Sequence, residues 1–331
     1  AACGGGGGGS GGGGELQIVA VNLPPNYVGW ELNRTIRITF SEVLDPSSVN
    51  TNTINVRQPN GTPAFGTATV DPSDKKSVIW RPDCPILDDL SDAGLQPNLL
   101  YELIIIGASQ NAGFTVRSEG GAVLELSDTR TFRTPNSTLL NVLFVDDVVG
   151  FAPQPVIRSA GSLLADATYL LVDGVQHYFE VQAGGSIALS PPLTLPLNLL
   201  SDPASRVELY IQIDQSVDMR SSNINSSRVS WEFESAPGIW TAVSASVSLE
   251  NNCTETGAVV RLVPQGLLPP GTNMRAVLAP EFQDIKSQEK NAFPLDQFAP
   301  MDAVPPPAPL ADNYLEEFNS NTREDVTAPF A

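Results

Sequence analysis

A pattern that recurs at a fixed distance narrows the folds open to this chain more than any other feature. In residues 35–40, Thr-Ile-Arg-Ile-Thr-Phe, the apolar Ile36, Ile38 and Phe40 alternate with Thr35, Arg37 and Thr39, as in a half-buried strand. Residues 206–213, Arg-Val-Glu-Leu-Tyr-Ile-Gln-Ile, alternate in the same way through Val207, Leu209, Ile211 and Ile213. Each strand runs into a polar stretch with an aspartate at the same place, and Asp45 and Asp218 stand 173 positions apart. Pro97-Asn-Leu-Leu-Tyr-Glu-Leu and Pro270-Gly-Thr-Asn-Met-Arg-Ala repeat at the same 173 positions. Between these anchors each half holds a hairpin, 66–82 and 242–264, ending at Pro82 and Pro264, which lie 182 apart. The first copy therefore carries nine extra residues. They fall within Asp83–Gly94 and read as a loop insertion, where added length costs little.

Composition agrees with two copies of a β module. The chain has 331 residues, room for about two domains at ~100–200 residues each. Its 27 Gly and 28 Pro punctuate short runs of Val, Ile, Thr and Leu, which is the texture of an all-β chain. Helical periodicity is lacking, with at most short helical turns in 83–100 and 310–320. No apolar run approaches the ~20 residues of a membrane-spanning helix. The middle segment, 136–186, reads as extra strands of the second module or a small β insert, with Asp173-Gly174 as a two-residue hairpin turn.

Residues 16–134 resemble the bacterial Ig-like domain family of S-layer and other surface proteins. The resemblance runs through Ile18-Val-Ala-Val-Asn-Leu-Pro-Pro, Phe40-Ser-Glu with Leu44-Asp-Pro-Ser-Ser-Val, Gly66-Thr-Ala-Thr-Val and Leu95-Gln-Pro-Asn-Leu-Leu-Tyr-Glu-Leu. It closes with Thr129-Arg-Thr-Phe-Arg-Thr. A second copy, roughly 186–300, keeps the central strand, the hairpin and Leu267-Leu-Pro-Pro-Gly-Thr but shows no clear closing strand. The resemblance implies tandem Ig-like β-sandwich domains. The organisation expected is a flexible glycine-rich tether at 1–15, a first sandwich at 16–135, a second at 136–303 with its extra strands first, and a Pro-rich, polar tail at 304–331.

The opening Ala-Ala-Cys-Gly resembles the end of a bacterial lipoprotein signal. That resemblance makes Cys3 the lipid-attachment residue and the following glycine run a tether. An ordinary signal cleavage or an engineered linker are the rival readings. Cys84 and Cys253 match no zinc or CxxC spacing. They form either a disulfide, in an oxidising compartment, or two separate thiols. Spacing gives no measure of their Cα separation, and separate thiols are the expectation.

The formal charge is −19, with only four lysines; nucleic acid and anionic headgroups should be repelled. Clustered carboxylates are the donors Ca²⁺ takes, and Asp88, Asp89 and Asp92 form one cluster, Asp146 and Asp147 another. Neither has EF-hand spacing, so a solvated acidic surface without a cofactor is expected and Ca²⁺ binding is the alternative. His177 is the single histidine, beside Tyr178 and Phe179 in an expected strand. It reads as structural, since no nucleophile–base pattern surrounds it. No phosphate-cradling or G-x-S-x-G motif occurs. Trp231 and Trp240 flank a turn at Pro237-Gly238 and are candidate aromatic surface contacts, whereas Trp80 in its apolar strand belongs to the core.

The expectation is a non-enzymatic, structural or adhesive protein of a bacterial cell surface or outer membrane, exported and lipid-anchored at Cys3. Its expected partners are other envelope proteins or itself. The alternative is a pair of carbohydrate-binding modules accompanying an enzyme domain outside this chain, and a small secreted hydrolase is a third reading.

Overall fold

In a computed structural model, residues 15–146, 152–181, 187–189, 206–269, 272–287 and 318–319 are described. They form two compact units. Unit 1 takes the residues up to Asp83 and Ala93–Thr138; unit 2 takes Cys84–Asp92 and the residues from Leu139 onward. The strands of unit 1 are β1 (Ile18–Val21), β2 (Tyr27–Val28), β3 (Ile36–Phe40), β4 (Ile54–Arg57), β5 (Gly66–Val70), β6 (Ser77–Pro82), β7 (Leu100–Ile105) and β8 (Asp128–Arg133). They form two four-stranded sheets, in the orders β1-β3-β6-β5 and β2-β8-β7-β4. Alternation decides which side chains go in. Ile36, Ile38 and Phe40 of β3 and Val78 and Trp80 of β6 are buried, as are Tyr101, Leu103 and Phe132 of the other sheet. Phe132 stacks on Tyr101 at 5.6 Å and meets Trp30 edge-on at 6.1 Å. Burying each such ring contributes roughly 1.5–3 kcal/mol.

Unit 2 continues with β9 (Arg158–Ser159), β10 (Tyr169–Val172), β11 (Val175–Val181), β12 (Ile187–Leu189), β13 (Val207–Ile213), β14 (Val229–Ala236), β15 (Ile239–Ala242), β16 (Ala245–Thr254), β17 (Gly257–Pro264), β18 (Asn273–Leu278) and β19 (Phe318–Asn319). One sheet runs β12-β11-β10-β13-β17-β16, with β9 on β11; the other runs β15-β14-β18-β19. The chain is an all-β sandwich protein. Its repeat extends to the strand register. In unit 1 Ile36 faces Trp80 and Ile38 faces Val78; 173 and 182 positions on, Leu209 faces Leu262 and Ile211 faces Val260. The middle segment supplies β9, β10 and β11 to the second unit's sheet. Asp173 and Gly174, at φ 50° and 73°, make the tight turn between Val172 and Val175.

Two expectations need correction, and 83–100 takes the loop form that the sequence left open. Residues 84–92, expected inside the first sandwich, belong to unit 2. No helical turn forms in 83–100: there the Asp92 carboxylate accepts from the Ile86 and Leu87 N–H groups at 2.8 and 3.2 Å, holding a loop closed instead. The second module also has a closing strand. It is β19, drawn from the tail, and Phe318 faces Met274 as Phe132 faces Tyr101.

Candidate functional site

Three neighbouring strands of unit 2 each carry a tyrosine at the same level. Tyr169 of β10 lies directly opposite Tyr178 of β11 and Tyr210 of β13. The Tyr169 and Tyr210 rings stack at 4.9 Å and 10°, and Tyr178 is tilted by 50° at 5.6 Å. A guanidinium closes each end: Arg158 lies over Tyr178, and Arg261 stands 5.8 Å from the Tyr210 ring. All five groups share one face because each is an even step from its neighbours across the pleat. Above the three tyrosines lies a cavity of about 450 Å³, lined also by Asp166, Gln176, Gln212, Glu250 and Asn251.

The electrostatics of the row centre on Glu208. Arg261 donates to its Oε2 from Nε at 2.9 Å and pairs through a second nitrogen at 2.8 Å, while the Tyr210 hydroxyl donates at 2.8 Å. Burial works to raise the Glu208 pKa, but the hydrogen bonds from Arg261 and Tyr210 outweigh it and hold the carboxyl below its usual range. Burial first, and the bond to Glu208 next, push the Tyr210 phenol up to about 12. The Tyr178 hydroxyl donates to Gln176 at 2.6 Å. Chemically, this face can exchange hydrogen bonds through phenols, amides and carboxylates. The row's ring faces meet one another or a guanidinium, so it presents ring edges outward and works first as a cross-strand stitch. His177 lies on the opposite face of β11, across from Leu170.

The sequence pointed elsewhere. Trp231, a candidate surface contact, is 0% exposed; the alternation of β14 turns it inward with Val229. Trp240 is half-buried, and the Arg275 guanidinium lies 4.4 Å from its ring while also bonding Glu232 at 2.7 Å. Asp88 accepts from the Ser221 hydroxyl at 2.8 Å, Asp89 from the Ser91 N–H at 3.0 Å, and Asp146 pairs with Lys286 at 3.3 Å. With Asp92 closing its own loop, the first cluster is spent on local bonds. Cys3 and Asp147 lie outside the described residues. Among the described residues, no group of three or more His, Cys, Asp or Glu side chains is arranged to hold a metal ion. Tyr169 and Tyr210 had a readable signal, since each occupies an outward position in a strand whose alternate residues are apolar; in β11 the polar His177 interrupts that pattern beside Tyr178.

Cys84 and Cys253, expected to stay apart, form a disulfide with Cα atoms 5.7 Å apart. The two meet because the Cys84 segment leaves its own module and folds with unit 2. Cys253 sits at a β-bulge, where the pairing of β16 with β17 slips between Asn251 and Thr254. Asn252 ties the neighbouring backbone, donating to Val217 O at 3.0 Å and Pro85 O at 3.3 Å.

No family model matches the chain, and no curated protein matches its sequence. Solved structures give distant likenesses. CopC from Methylosinus trichosporium OB3b is 12% identical over 38% of this chain and 99% of its own, with a TM-score of 0.26. Native alpha-2-macroglobulin from Escherichia coli, domains MG0-NIE-MG1, is 14% identical over 80% of this chain and 66% of its own, at 0.32. The N-terminal part of the bacterial S-layer protein SbsC is 10% identical over 80% of this chain, at 0.24, and this chain spans 40% of its length. Likeness at this level specifies neither a function nor a partner.

Proposed function

We propose that this chain is an exported, non-enzymatic structural protein of a bacterial cell surface, built as two β-sandwich spacers and held to the membrane by lipid at Cys3. The Cys84–Cys253 bond carries the reading. Disulfides persist in oxidising compartments and are rare where glutathione keeps thiols reduced. The repeat supports it too: one building block used twice suits reach and shape. Contacts to envelope proteins, or to further copies, come from exposed strand edges. Divalent cations and catalysis play no part in this reading.

The test uses protein from its native cells. Protease added to intact cells should remove it, and alkylation before lysis should leave Cys84 and Cys253 unlabelled. Intact mass should place diacylglycerol-type lipid on Cys3. A protein shielded from external protease, with both thiols alkylated, overturns the surface reading; an unmodified Cys3 overturns the anchor alone.

A further inference from the structure

The Cys84–Cys253 bond joins residues 169 positions apart and closes about half of the chain into one covalent ring, which takes in part of each unit. The ring holds β7 and β8 of unit 1, β9 to β15 of unit 2, and β16 as far as Cys253. One arm enters it at Cys84 carrying β1 to β6; the other leaves at Cys253 carrying β17, β18 and β19. Both units are therefore mixed. In unit 1, the arm strand β4 pairs with the ring strand β7 over four residues. In unit 2, the arm strand β17 pairs with the ring strands β13 and β16, and the arm strand β18 pairs with β14.

This topology fixes where tension goes. Once the pairings between arms and ring have broken, a pull applied through the two arms passes from Cys84 to Cys253 across the sulfur–sulfur bond and leaves out the backbone between them. We propose that the molecule is a tension element of limited extension, in which the bond withholds about half the chain from stretching. The proposal rests on the structural reading above for its setting, since a surface spacer is pulled at its ends. A residue spans at most ~3.3–3.6 Å when extended, so the 169-position shortcut withholds about 560–610 Å. Unfolding both units leaves that length locked. The segment Cys84–Asp92 explains why a loop of the first module is committed to the second. Asp88 holds Ser221 and Pro85 O holds Asn252, so the bridge is seated by hydrogen bonds on both sides. Because Cys84 precedes β7 and β8 in the chain, a bridge seated in unit 2 also locks those two strands of unit 1.

Single-molecule force spectroscopy on the full chain, with handles at its two ends, reads this directly. Without reductant, complete unfolding should release a contour length shorter by about 560–610 Å than with a dithiol reductant present. The reductant converts the bridge to two thiols and is itself oxidised to a cyclic disulfide. The double variant Cys84→Ala/Cys253→Ala should give the longer value in both conditions. Wild-type protein compared with and without reductant needs no refolded variant, so a folding defect in the double variant does not blunt the test. Equal wild-type lengths in the two conditions overturn the proposal. A protein that fails the cell-surface test but shows the length difference keeps the tension device and loses its setting; the reverse result does the opposite.

Discussion

At the scale of the residue, the outer face of unit 2 turns on one carboxylate serving two partners. Glu208 accepts from both Tyr210 and Arg261, and burial first, then the bond to Glu208, keep the proton on the Tyr210 phenol. The Tyr210 pKa, raised to about 12, has a definite consequence for stability. Below the ordinary phenol value near ~10 the folded and unfolded states both hold the proton. As pH rises through ~10 towards 12 the unfolded state loses it first, so the contribution of this group falls across that window. Alkaline titration followed by phenolate absorbance should show a late-ionising tyrosine, and Tyr210→Phe should delete that step and flatten the loss of stability between pH 10 and 12. A variant with an unchanged late step would assign it to another tyrosine and refute the pairing. Sequence alone had favoured Trp231 and Trp240 as outward aromatics. Trp231 was the wrong choice because indole area is best spent in the interior, where Trp30 and Trp80 also lie; Trp240 is half-buried. Tyrosine, with its hydroxyl, suits a half-wet face.

At the scale of the element, what the sequence could show depended on whether a strand kept its spacing. β3 and β13, and β7 and β18, were readable because the offset of 173 holds to the residue: Leu100 and Ile105 bound β7 as Asn273 and Leu278 bound β18. The hairpin turn at Asp173-Gly174 was readable from its turn chemistry. The second closing strand was not, because residues 279–317 separate it from β18 while only 106–127 separate β7 from β8. No periodic signal survives across such a gap with only two paired residues, Phe318 and Asn319, at its end. The β16–β17 hairpin shows how tightly one turn position can be specified. Gly257 has φ +95°, and a Cβ there would lie 2.1 Å from the Ile213 carbonyl oxygen and 2.5 Å from the Gln215 nitrogen. These are backbone atoms at the end of β13 and just beyond it, and they cannot swing aside. Gly257→Ala should cost about 2–4 kcal/mol, combining the left-handed backbone penalty with overpacking. Urea denaturation should show the midpoint falling at an unchanged slope. A loss below about 0.5 kcal/mol would mean that β13 and β17 do not approach as described.

At the scale of the whole molecule, two facts were split between sequence and structure. The acidic balance was plain from composition. The covalent ring was not, because it depends on which unit the Cys84 segment joins, and chain order assigns that segment to the other module. Charge and ring act on the same quantity, the free energy of keeping an acidic chain compact. Of the 18 basic residues set against 37 acidic ones, several of those described sit beside carboxylates: Arg37 against Asp71 and Asp74, Arg130 against Asp128, Arg220 against Asp218, Arg275 against Glu232. These close pairs are short-ranged and hydrogen-bonded, so added salt weakens them little. The uncompensated charges are spread over the surface and repel at longer range, where screening acts strongly. Raising ionic strength from ~0.01 to ~0.15 M shortens the screening length from ~30 to ~8 Å. The repulsion should therefore fade faster than the attraction, and the calorimetric unfolding temperature should rise over that interval. Repeating the scan on reduced protein separates the two effects: opening the ring should lower the unfolding temperature at every salt concentration by enlarging the unfolded ensemble, while leaving the salt dependence in place. A temperature that falls with salt would mean that the local ion pairs, not the excess negative charge, dominate the electrostatics of the folded state.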